Sequence, residues 1–239
     1  VNSNLIDLIW KNRPKKLKSS PFKLPFNFHG EDKLLKIKKI IKNIKTSKKD
    51  AYILTSCDSI CWLFNIRAQD LEYSPLIMAK SIIHRDGSCF IFSDQKTLKN
   101  ETLNSKIKII YKPLHHYDTH FNEYKVSIRS YLCAPNDTSF NAVMLIKEIG
   151  AKAIFNDNIV DILKAKKNTT EENGMRNAHL RDGVALTKFI YWIKNTKNNS
   201  QSEISASNYL DNLRSKNKNF FSLSFPTIAG SGPNGAIVH

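Results

Sequence analysis

The chain has 239 residues, 37 basic and 21 acidic side chains, a formal net charge of +16, 41% apolar residues, 8 Gly, 8 Pro and 4 Cys. That apolar mass, without a Pro or Gly bias, excludes disordered, collagen-like and disulfide-dense classes. No apolar run approaches the roughly 20 residues of a membrane helix, and Val1-Asn2-Ser3-Asn4 has no signal-peptide character, so a soluble protein without a membrane partner is expected.

Residues 11–49 carry 14 Lys or Arg against Glu31 and Asp32. Such a block is the electrostatic footprint of a polyanion binder. The chain nevertheless uses 30 Lys against 7 Arg, beside 24 Asn and 27 Ile, whereas planar phosphate and base readout favours Arg. The block reads as a solvated lysine face with no specific nucleic-acid partner. Cys57, Cys61, Cys89 and Cys133 form no CxxC pair, and no His follows them at zinc-finger spacing. They read as free thiols acting as small hydrophobes in a reducing, cytoplasmic compartment.

In chain order, Leu5, Leu8 and Ile9 end an amphipathic helix closed by Trp10. Pro14, Pro21 and Pro25 bar helix and predict an extended connector over 11–28. Over 31–46, Leu34, Ile37, Ile41 and Ile44 recur at three- and four-residue steps, with Lys on the other faces. A strand at 51–54 precedes a helical turn over 58–65 capped by Ser56 or Asp58. Asp86-Gly87 between two apolar runs predicts a hairpin of 82–84 with 89–92. A strand over 106–111, a helix over 139–149 stopping at Gly150, and a strand at 153–155 follow. This alternation predicts an α/β domain over 29–165. Thr169 and Glu172 then offer a capping box for a helix over 170–194, and a second helix runs from Ser202 to Arg214. A strand over 220–229, a turn at 230–235 and the start of a strand at 236–239 complete the expectation.

Gly230-x-Gly232-x-x-Gly235 matches the dinucleotide fingerprint formally, but no helix and no acidic residue follow it, so the Rossmann reading fails. His115, His116, Asp118 and His120 are a dense group of metal-ligand types lacking the Glu of a zincin helix. After Pro113 they are expected on a surface loop. Glu31-Asp32 and Glu171-Glu172 sit in first helical turns, where carboxylates favour the dipole.

Three stretches together resemble the Xaa-Pro aminopeptidase branch of the creatinase/prolidase metallopeptidases. The first is Asn4-Leu5-Ile6-Asp7-Leu8-Ile9-Trp10 with Arg13-Pro14. The second runs from Thr55-Ser56-Cys57-Asp58-Ser59-Ile60-Cys61-Trp62 to Asn65-Ile66-Arg67, with Asp70 and Pro75. The third joins Asn168-Thr169-Thr170-Glu171, Gly174-Met175-Arg176, Ala178-His179 and Arg181-Asp182-Gly183 to Leu223-Ser224-Phe225-Pro226-Thr227-Ile228 and Gly232-Pro233-Asn234-Gly235-Ala236-Ile237-Val238-His239. Ala68 stands where the family usually has Gly, and Asn168-Thr169 lacks the frequent Pro.

The resemblance implies an α/β (α+β) fold. Residues 1–28 would be the end of a preceding domain and a linker, 29–165 a creatinase-like middle domain, and 166–239 the truncated start of a pita-bread catalytic domain. It implies hydrolysis of the first peptide bond of peptides with proline second, by water activated on two divalent metals, commonly manganese. The family's ligands, two Asp, one His and two Glu, lie beyond the position matching His239. The chain is therefore expected to be an internal segment that binds no metal and is inactive alone. His239 matches the histidine that contacts substrate and steadies the tetrahedral intermediate, and Phe225 a position lining the pocket for the first side chain. A homodimer in the full-length enzyme is a further implication. The alternatives are a non-catalytic pseudoenzyme and a basic module that binds polyanions.

Overall fold

The structure is a computed structural model and describes residues 5–14, 19–196 and 201–236. Helix α1 (Leu5–Ile9) precedes strand β1 (Phe22–Lys23) and the short helix α2 (Phe26–His29). The connector over 11–28 is thus only partly extended. Its β1 exists because Ile66–Arg67 (β3) lies opposite in antiparallel register, Phe22 with Arg67 and Lys23 with Ile66. A two-residue strand has no sequence period to announce it. Ser19 Oγ also ties the connector down, donating to Asp70 at 2.7 Å.

Helix α3 (Lys33–Thr46) starts at Asp32, whose carboxylate accepts the Leu34 N–H. Then come β2 (Ala51–Leu54) and α4 (Cys57–Phe64), followed by the hairpin of β4 (Ala79–His84) and β5 (Ser88–Ser93). The turn lies where Asp86-Gly87 predicts it, and Gly87 has φ +106. Strands β6 (Glu101–Thr102), β7 (Lys108–Lys112), β8 (Ser130–Cys133) and β9 (Lys152–Phe155) alternate with helices α5 (His116–Glu123), α6 (Phe140–Glu148) and α7 (Ile159–Ala165).

The seven-stranded sheet has the order β6-β7-β5-β4-β2-β8-β9. Pairs β5/β7, β2/β8 and β8/β9 are parallel, and the others antiparallel. Successive side chains of a strand point to opposite faces, so β2 serves two cores. Tyr52 and Leu54 pack with Ile37, Ile60 and Val160 of α3, α4 and α7. Ala51 and Ile53 pack with Tyr117, Phe121 and Ile146 of α5 and α6. The result is a mixed α/β sandwich.

Two polar residues expected at the surface are in these cores. Lys36 is buried, against the solvated face predicted for its helix. Its ammonium donates to Trp62 O at 2.9 Å and Asn65 Oδ1 at 2.7 Å, and lies 4.1 Å from the Trp62 ring centroid. Burial pulls its pKa down to about 8. His120, expected on a surface loop, lies on helix α5 with no exposure at all. The loop expectation fails because Tyr117, His120 and Phe121 form an inward stripe at three- and four-residue spacing.

Helices α8 (Thr169–Asn195) and α9 (Glu203–Ser215) follow. The capping box of α8 is one residue earlier than Thr169 and Glu172 suggest. Asn168 Oδ1 accepts the Glu171 N–H, and Glu171 Oε2 accepts the Asn168 N–H, each at 3.0 Å. Asn168 also donates to His29 O at 2.8 Å, a tertiary bond that selects it as the cap. The start of α8 is thereby seated on the turn after α2, where Gly30 (φ +65) leaves room for it. A Cβ at Gly30 would lie 2.5 Å from Thr170 Oγ1 and 2.8 Å from Asn168 Oδ1.

The strand expected over 220–229 does not form. A strand needs a ladder partner, and this segment, irregular throughout, has none among the described residues. Gly232–Ala236, across most of the turn expected at 230–235, is a 3-10 helix, and residues 237–239 of the strand start expected at 236–239 lie outside the described residues. No described helix is long and apolar enough to cross a membrane.

Candidate functional site

Phe225, one of the two candidate residues, lies beside the packing of α8 on α9. Arg214 closes that packing with a bidentate ion pair, Nε to Asp182 Oδ1 at 2.7 Å and Nη2 to Oδ2 at 3.3 Å. Fork-to-carboxylate geometry fixes orientation as well as distance. Trp192 and Tyr209 stack 4.0 Å apart at another point of the same contact. The segment bearing Phe225 is pinned to α9, since Thr227 Oγ1 donates to Asp211 Oδ1 at 2.6 Å. Phe225 is 61% exposed and borders an open groove of about 590 Å³ shared with Arg181, Asp182 and Arg214. An apolar wall beside a guanidinium suits a side chain with its carbonyl or carboxylate nearby.

The glycine-rich turn is bound to the first turn of α9. Glu203 Oε1 accepts the Ser231 N–H at 2.7 Å and the Asn234 amide at 3.0 Å. Those bonds hold the Glu203 carboxyl below its ordinary range. The turn is thus a folded elbow, and the glycines serve its close approach: a Cβ at Gly230 would meet Asn234 O at 3.1 Å. His239, the other candidate, is outside the described residues. Glu203, Asp211 and Arg214 carry no spacing signal, because their partners are 16 to 32 residues away.

Of the ligand-type cluster, His120 turns inward to His84, their Nε2 atoms 3.0 Å apart. Burial lowers both, His84 to about 4 and His120 to about 3. His115 and His116 meet each other edge to face instead of joining them. Among the described residues, no group of three or more His, Cys, Asp or Glu side chains could hold a metal ion. The described side chains therefore do not assemble a metal centre of their own. All four cysteines are free, Cys57 half-buried and the others buried.

Residues 12–171 match the Creatinase/Prolidase N-terminal domain. The chain belongs to the creatinase/prolidase family. Residues 173–239 match Metallopeptidase family M24, which places α8, α9 and the elbow at the start of that domain. Among curated proteins, the chain is 32% identical over its whole length to probable Xaa-Pro aminopeptidases P of Chaetomium globosum and Podospora anserina, covering 40% and 37% of them. It thus spans about two fifths of the relatives it matches. Among solved structures, an X-prolyl aminopeptidase from Caenorhabditis elegans, described as a cytosolic enzyme with a di-nuclear active site, superposes on 98% of this chain. The TM-score is 0.84 at 25% identity, and 41% of that chain is covered. A Xaa-Pro dipeptidase from Bacillus anthracis shares the fold, with a TM-score of 0.54 at 15% identity over 76% of this chain and 48% of its own.

Proposed function

We propose that this creatinase/prolidase chain is the middle and opening catalytic portion of a cytoplasmic Xaa-Pro aminopeptidase. Residues 29–165 are its middle domain and 166–239 the start of its pita-bread domain. The enzyme removes the first residue from peptides whose second residue is proline. Two divalent metals, manganese by the family resemblance, would supply the activated water. The observation that carries the reading is a similarity to probable Xaa-Pro aminopeptidases P that spans all 239 residues. Within it, Phe225 walls the pocket for the first side chain, with the Asp182–Arg214 pair holding that wall's support. His239 donates to the carbonyl oxygen as charge develops.

The test uses the full-length enzyme and this chain side by side. The full-length enzyme cleaves Xaa-Pro peptides and leaves Xaa-Ala peptides intact, whereas the 239-residue chain cleaves neither, even with excess manganese. His239→Ala lowers full-length turnover with metal content unchanged. Metal loss in that variant, or proline-specific cleavage by the chain alone, refutes the assignment.

A further inference from the structure

A second cavity, of about 940 Å³, lies where the sheet domain meets α9. Its walls come from the connector at Ser19 and Ser20, the loop at 69–74, the last turns of α9 and residues 220–223. Its charge sets it apart. In a chain of net charge +16, no Lys or Arg lines it among the described residues, while Glu72 and Asp211 do. Three aromatic rings, Tyr73, Phe220 and Phe221, line it as well.

The parts converge on Tyr73. The Glu72 carboxylate beside it, with Asp211 adding from α9, holds its phenol above the ordinary value. Glu72 of the sheet domain and Asp211 of α9 line the same cavity as the ring. Tyr73 has φ +61, a left-handed conformation that a bulky residue adopts only when its surroundings impose it. The bridge between Leu71 and Ser74 closes that turn. Aromatic faces attract cations through their quadrupole, and guanidinium stacks on them especially well. Leu71 and Leu223 offer apolar surface for a methylene stem.

We propose that this interdomain cleft binds a basic peptide side chain, with guanidinium preferred over ammonium. The aromatic rings take the planar cation, and Glu72 and Asp211 neutralise it. The site adjoins the Phe225 groove, with residues 220–223 walling both. It does not depend on the peptidase reading.

Calorimetric titration of the 239-residue chain with Nα-acetyl-arginine amide and with its neutral isostere, Nα-acetyl-citrulline amide, tests the site. Arginine should bind about fivefold more tightly, the factor that a cation–π contact and an exposed ion pair supply together. Glu72→Gln should remove most of that preference. Tyr73→Gly, which suits the left-handed backbone, should weaken arginine binding while keeping the unfolding midpoint. Equal affinities for the two ligands, no binding of either, or an unchanged preference in a folded Glu72→Gln variant would overturn the proposal. In the full-length enzyme, a higher kcat/KM for Ala-Pro-Ala-Arg than for its citrulline analogue assigns the site to the substrate's own downstream residue. Equal values with retained binding assign it to a separate basic polypeptide. If neither peptide is cleaved, only the peptidase reading falls, because the titration is read without turnover.

Discussion

Trp62 of the sheet domain donates its indole N–H to Glu171 Oε1, in the first turn of α8, at 3.2 Å. The same ring carries the Lys36 ammonium on its face, and Glu171 closes the α8 capping box with its other oxygen. Asn65 completes the joint. Its Oδ1 accepts from Lys36 at 2.7 Å, and its amide donates to Glu31 O at 3.0 Å. Lys36 thus spends its hydrogen bonds on neutral oxygens, while the charges of Glu171 and Glu31 act on it from farther off. A cation held this way is retained by the ring and the two acceptors together, since burying it unpaired would cost far more than any one contact returns.

Trp62→Phe tests how much of the joint rests on the indole N–H. A phenyl ring stays beneath Lys36, while the bond to Glu171 and the packing of the rest of the buried indole are lost. The expected loss is about 2 kcal/mol, the net worth of one hydrogen bond with some charge assistance together with the smaller ring's lost packing. That is well short of the roughly 3–5 kcal/mol expected for truncation to Ala, which empties the site. Urea unfolding of both variants measures the difference, and a Trp62→Phe variant as stable as the parent would show that the Glu171 bond contributes nothing.

Gly30→Ala and Gly150→Ala separate backbone strain from steric contact. Both glycines have positive φ, +65 and +72, so each substitution carries a left-handed penalty of roughly 1 kcal/mol. At Gly150 nothing lies within 4 Å of the new Cβ, so the penalty is the whole effect. At Gly30 the Cβ runs into Thr170 and Asn168, and α8 must lift from the turn. Gly30→Ala should therefore lose at least about 1 kcal/mol more, with new proteolytic cleavage near 165–169. Identical stabilities and cleavage patterns would mean that α8 is not seated on this turn.

Elements with a local signal were legible in the sequence. The Asp86-Gly87 hairpin, the isoleucine period of α3 and the helices α8 and α9 are written in neighbouring residues. What escaped is set at long range. Lys36 looks like any other lysine of α3 until Trp62 and Asn65, 26 and 29 residues away, supply its acceptors. Strand β1 needs β3, and the strand expected over 220–229 fails because apolar, β-branched content does not create a partner. The same holds at the candidate site. Motif resemblance pointed to Phe225 and His239, but the Arg214 fork on Asp182 and the Glu203 tether on the elbow depend on how α9 lies against α8.

The buried histidine pair makes acid stability a direct readout of the α5 side of the core. His84 and His120 face each other at 3.0 Å among the rings of Phe90, Phe92 and Tyr124. Asp86 pulls His84 upward, while Lys112 adds to the lowering of His120, but burial dominates for both. His120 Nδ1 has no hydrogen-bond partner among the described residues. A bare lone pair costs less there than an orphaned N–H, so His120 donates from Nε2 and His84 accepts. Both folded-state values lie below the unfolded value of about 6.5, so the unfolded chain takes up protons first as pH falls. Stability is therefore full above about 6.5 and is lost progressively toward about 4. Between about 6.5 and about 5, before most carboxylates titrate, each histidine should cost about 2 kcal/mol. The double variant His84→Gln/His120→Gln, whose amides can bond to each other across the same gap, should show a nearly flat profile over that interval. Urea midpoints measured at half-unit pH steps decide the matter, and a slope in the double variant equal to that of the parent would place the acid sensitivity elsewhere in the fold.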